Sequence, residues 1–142
     1  MAKLVTRTQY IQNTEDILDF AVTKLQEYDG WKVRKFPGTG YTKLFKYMPE
    51  LRLPAAVICC NSSTFSKQSI PARTLHMEII VAVEFYREDN NIELRTLMHK
   101  VITLLDGEIF NKKVRFDIAS HDSIDFGPNI AAYLISFDVV NY

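Results

Sequence analysis

The alternation of apolar and polar positions divides the chain into a few strong elements separated by weaker stretches. From Thr14 to Tyr28, Ile17, Leu18, Ala21, Val22, Leu25 and Tyr28 recur at the three- and four-residue spacing of one helix face. Asn13 or Thr14 is placed to cap this helix, Glu15 and Asp16 suit its first turn, and Gly30 is a natural stop. Tyr10 and Ile11 carry the same stripe back towards Thr8. Trp31, Val33 and Phe36 alternate like a short strand, and Pro37 to Gly40 reads as a turn. Tyr41 to Met48 suits a helical turn closed by Pro49. Leu53 to Cys60 reads as a buried strand led in by Pro54.

The polar run 61–72 predicts a long loop or arm, with Phe65 and Ile70 as isolated apolar residues in it. Leu75 to Tyr86 is the clearest strand. Leu75, Met77, Ile79, Val81, Val83 and Phe85 take one face, and Thr74, His76, Glu78, Ile80, Ala82, Glu84 and Tyr86 the other. Asn90, with Glu93 three residues on, starts a second helix carrying Leu94, Leu97, Met98, Val101, Ile102 and Leu105, and Gly107 ends it. Val114, Phe116 and Ile118 alternate again, Asp122 to Pro128 reads as a turn region, and Tyr133, Ile135, Phe137 and Val139 form the inward face of a last strand. This order predicts an α+β fold over a single domain, 1–142. A mostly antiparallel sheet of four to five strands carries two amphipathic helices on one face.

Composition narrows the partners. Lys plus Arg equals Asp plus Glu, 17 against 17, so the basic surplus of a phosphate-gripping protein is missing. The only cysteines, Cys59 and Cys60, are neighbours, which argues against a disulfide framework. Met1 to Tyr10 lacks the apolar centre of a secretory leader, and no apolar run nears the ~18 residues of a membrane span. The expectation is a chain made in the cytoplasm, without a membrane partner.

Candidate chemistry is sparse. Gly38-Thr39-Gly40-Tyr41-Thr42-Lys43 departs from a phosphate loop, because Tyr41 and Thr42 separate the second glycine from the lysine. His76, Glu78 and Glu84 share a strand face, and His121, Asp122 and Asp125 sit close together, but solvated strand faces and turns use such residues routinely. If the chain were an α+β enzyme acting on a small molecule or nucleic acid, these two groups would be its best candidates. No catalytic residue, cofactor site or metal site is expected. The apolar residues on otherwise polar surfaces point instead to contacts between subunits. The candidates are Phe65, Ile70, Arg73, Ile80, Ala82 and Tyr86. A regulatory domain that binds a peptide or ligand on its sheet face is a further alternative.

The layout resembles the tail-terminator and neck proteins of tailed bacteriophages, including the small minor tail and head-tail joining proteins grouped with them. Four features carry the resemblance: an N-terminal amphipathic helix before a poorly patterned stretch; the proline-led strand Leu53-Pro54-Ala55-Ala56-Val57-Ile58; an arm before the long strand Arg73 to Val83; and a helix ending in Leu104-Leu105-Asp106-Gly107 before two closing strands that include Tyr133-Leu134-Ile135-Ser136-Phe137. The resemblance implies a non-enzymatic virion part without cofactor. It implies a homo-oligomeric ring, commonly of six copies, that caps the tail tube and meets head-connector proteins, with DNA only passing through the lumen. The segment from Trp31 to Pro49, with Tyr41, Phe45 and Tyr47, is longer than that family pattern suggests.

Overall fold

The computed structural model describes residues 7–36, 52–65, 73–85, 89–112 and 114–141. They form helix α1 (Arg7–Leu25), strands β1 (Lys32–Lys35), β2 (Ala55–Phe65) and β3 (Arg73–Glu84), helix α2 (Asp89–Leu105), and strands β4 (Ile109–Phe110), β5 (Val114–Asp125) and β6 (Ile130–Asn141). All strands join one six-stranded sheet in the order β1-β2-β3-β6-β5-β4. β1 and β2 run parallel, and the other four pairings are antiparallel.

The α+β class and the two helices on one face hold. The count of four to five strands and the simple antiparallel sheet do not: the sheet is mixed and has six strands. The additional strand, β4, has two residues, too few to show an alternation. The parallel pair arises because the long connection from β1 to β2 returns the chain in the same sense. Two loop readings also change. Asn61 to Phe65, read as the start of an arm, continue β2 and pair with β3 as far as Phe65 opposite Arg73. Ladder bonding to a strongly patterned neighbour overrides the weak strand preference of Asn and Ser. The rest of the arm, including Ile70, lies outside the described residues, as do Tyr86 and the 37–51 segment. Asp122 to Asp125, read as turn, belong to β5.

Helix α1 starts earlier than Asn13 or Thr14, which therefore lie within it and do not cap it. The stripe through Tyr10 and Ile11 meets no Gly or Pro, so nothing stops the helix there. Its end is set by Trp31, whose indole Nε1 donates to the Leu25 carbonyl at 2.9 Å. Gly30 has a different role from a simple stop. A Cβ there would run into the Tyr28 ring. That ring packs edge-on to Trp31, with centroids 5.3 Å apart. Gly30→Ala is expected to swing the movable Tyr28 ring aside and lower stability by about 1 kcal/mol or less; urea unfolding followed by Trp31 fluorescence checks it. Helix α2 ends as the sequence predicts. Gly107 takes φ +80°, and its N–H donates to the Phe116 carbonyl at 2.7 Å.

The main core lies between the helices and the inner sheet face. Ile17, Leu18, Ala21 and Leu25 of α1 and Leu94, Leu97, Met98, Val101 and Leu105 of α2 meet Leu75, Met77, Ile79, Val81 and Val83 of β3. Phe116 and Phe137 are fully buried in the same layer. The predicted stripes and the β3 alternation are thus the two halves of one apolar interior.

Candidate subunit interface

The sheet register places residues on the outer face in cross-strand rows, and these rows divide the face in two. The polar half has His76 opposite Asp138, and Asp138 opposite Asp117. The Nδ1 of His76 lies 2.9 Å from Oδ1 of Asp138. One strand over, Arg115 Nε donates to both carboxylate oxygens of Asp117, at 2.8 and 3.0 Å. These side chains are roughly two-fifths exposed, so solvent screening holds each pair to about 1 kcal/mol or less. His76 therefore meets a carboxylate across the sheet, Asp138 of β6. On β2, the Cys59 thiol donates to the Glu78 carbonyl at 3.6 Å. Burial, then the nearby Glu78 charge, pushes this thiol up to about 12. At neutral pH it is a packed apolar group and not a nucleophile.

His121 and Asp122 are opposite Ile135 and Leu134, so they point to opposite faces of β5 and share no site. The His121 ring stands edge-on to Tyr133, with centroids 6.0 Å apart. Among the described residues, no three His, Cys, Asp or Glu side chains converge as metal ligands.

The other half of the outer face is a second apolar cluster. Val57, Ile80, Ala82 and Ala132 are buried, with Phe36, Leu53, Ile124, Phe126, Ile130 and Leu134 packed around them. Ile80 and Ala82, expected as outward contact residues, have no exposed surface. The register explains why. Ile80 sits between Val57 and Leu134, and Ala82 between Ala55 and Ala132, and Phe36, Leu53 and Phe126 from beyond the strands pack against the same cluster. Of the other expected contacts, Phe65 and Arg73 face each other across the end of the β2–β3 ladder.

The helices cover the inner face and apolar packing closes half of the outer one, which leaves the polar half of the outer face and the sheet edges open. At one edge, Lys32, Arg34 and Lys35 of β1 are exposed. The ammonium of Lys35 bonds Glu15 at 2.6 Å and Asp19 at 2.9 Å, and these bonds raise its pKa. Among the described residues, no ion pair involves Lys32 or Arg34. At the other edge, β4 covers only Val114 and Arg115 of β5, and Ala119 to Ser123 are exposed. This stretch carries Asp122 and leads to Asp125. Cations thus line one edge of the sheet, and Asp122 stands exposed at the other.

Comparison of the chain with models of known families and with curated proteins finds no match. Among the described residues, no helix is long and apolar enough to cross a membrane.

Proposed function

We propose that this chain is a structural virion assembly protein, a tail terminator or neck subunit of a tailed bacteriophage that forms a ring, caps the tail tube and joins it to the head connector. The observation that carries the reading is the pair of unlike sheet edges. β1 and the distal half of β5 lie on opposite sides of one sheet, and neither has an outer strand neighbour among the described residues. A ring needs two different patches on each subunit that fit head to tail, and a part with one self-complementary patch stops at a dimer. The α+β layout, with a helix before and a helix within the run of strands, agrees with the element order on which the family resemblance rests. The 17 against 17 charge balance suits a lumen through which DNA slides, since many phosphate contacts would hold it.

The test is assembly. The purified protein, alone at high concentration and mixed with tail tubes, is examined by light scattering and electron microscopy. Rings, free or seated on tube ends, are the expected outcome. A protein that stays monomeric in both settings and leaves tube ends bare overturns the reading.

A further inference from the structure

We infer that copies of this chain join by extending one sheet into the next: β1 of one copy adds antiparallel to the distal half of β5 of its neighbour, with Val33 opposite Ser123 and Arg34 opposite Asp122. The inference rests on the ring reading and supplies its contact.

The backbone is prepared at both edges. Lys32 N–H donates to Pro54 and Phe36 N–H to Ile58. By the alternation of a ladder, Val33 and Lys35 then turn their backbone groups away from β2. On β5, Phe116 bonds outward to Gly107 and Glu108, so Asp117 is a residue that bonds β6, opposite Asp138. Along β6 every second residue repeats that role. Past the register shift between Ile118 and Ser120, Ser136, Leu134 and Ala132 therefore bond Ser120, Asp122 and Ile124. His121, Ser123 and Asp125 turn outward.

Strand direction and charge select the arrangement. β1 runs with β2, and three antiparallel steps lead from β2 through β3 and β6 to β5. β1 and β5 thus run in opposite senses. A neighbour with the same face and the same strand sense presents β1 antiparallel to β5, and the sheet continues. A two-fold contact of β1 on β1 would set cation on cation, and one of β5 on β5 would leave the cations of β1 without a partner strand. Like charges directly opposite are destabilising, and opposite charges stabilise by roughly 0.2–1 kcal/mol per pair.

The register follows from the lengths. Val33 belongs to the inner face, and the β5 positions 121, 123 and 125, opposite Ile135, Tyr133 and Ala131, share its alternation. Outward residues must meet outward residues, so Val33 has only these three partners. Opposite His121, it would put Lys35 against Ala119 at the register shift. Opposite Asp125, it would put Lys32 against Phe126, beyond the strand. Ser123 alone keeps all four residues of β1 on regular strand. Arg34 then faces Asp122 on the outer face.

The inner side has room for the neighbour. A cleft of about 490 Å³ opens there, lined in part by Asn91, Leu94, Arg95, Ser123 and Tyr133. Sheet extension carries the neighbour's α1, tied to its own β1 by Lys35, towards this cleft. The exposed Glu15, Asp16 and Asp19 of that helix are opposite in sign to Arg95.

Cysteine pairing tests the contact. Arg34→Cys and Asp122→Cys are made separately in a full-length Cys60→Ser chain. Both positions are exposed, and circular dichroism confirms folding. The variants are mixed at millimolar concentration with a mild oxidant while light scattering follows size. A disulfide-linked dimer in the mixture, absent from either variant alone, is the expected result. Oligomers without the cross-link overturn the edge pairing and leave ring assembly standing. The absence of any oligomer removes both. Self-linking of a single variant means a two-fold edge contact and overturns the proposal. Arg34→Asp and Asp122→Arg should each weaken association roughly tenfold, and together restore it.

Discussion

Phe116→Ala is expected to lower the stability of the subunit by about 3–5 kcal/mol, the range for removing a large aromatic side chain from a packed interior. The side chain is fully buried. Its ring lies 5.6 Å from that of Phe20 on α1, which in turn lies 4.9 Å from Phe110 on β4. Its backbone also receives the N–H of Gly107 at 2.7 Å and donates to Glu108 at 2.9 Å, where the chain leaves α2. Helix α1, the exit of α2 and two strands therefore meet at this residue. The backbone bonds survive the substitution, so the loss comes from the ring: its transfer from water, its aromatic neighbours and the cavity left behind. Urea unfolding should show the midpoint falling with an unchanged slope. Phe116→Leu keeps most of the volume and should cost less than half as much. A loss under about 1 kcal/mol for the alanine variant would mean that these elements are not packed around this ring.

The parts of this fold legible in the sequence are those in which one residue period persists long enough to be seen. The stripe from Ile17 to Leu25, the alternation from Leu75 to Val83 and the stripe from Leu94 to Leu105 each cover two or more turns or several pleats, and each is buried as expected. Gly107 was legible as a stop because a positive φ after a helix calls for glycine. β4 and the tail of β2 were not legible, since their strand character comes from a partner distant in the chain. The same limit applied to the site. Nothing near His76 in the chain names its partner, which lies 62 residues away. Asp138 did stand on the outward alternation of the last strand, and only the register of β3 on β6 joins the two. The sheet edges were hidden for a related reason. Lys32, Arg34 and Asp122 are unremarkable surface charges until the strand order places them at opposite ends of one sheet.

Ile80→Ala separates a second core from a docking surface, and the expected result is a loss of about 2–4 kcal/mol in the dilute subunit. In the sequence, Ile80 looks like an apolar residue on a polar face, as a contact residue would. In the fold, it is flanked by Val57 and Leu134 and has no exposed surface. The two readings give opposite concentration dependence. A core residue destabilises the subunit at every concentration, because the cavity is there whether or not a neighbour binds. A contact residue leaves the dilute subunit nearly unchanged and weakens only association. Glu84→Ala, at an exposed position on the same strand face, serves as the control and should stay within about 0.5 kcal/mol. If Ile80→Ala left the dilute subunit untouched and dissolved its oligomers, the outer face and not the sheet edges would be the place where copies meet. If it shifts unfolding equally at low and high concentration, the apolar outer face is internal structure. It then stiffens the sheet whose two edges remain for assembly.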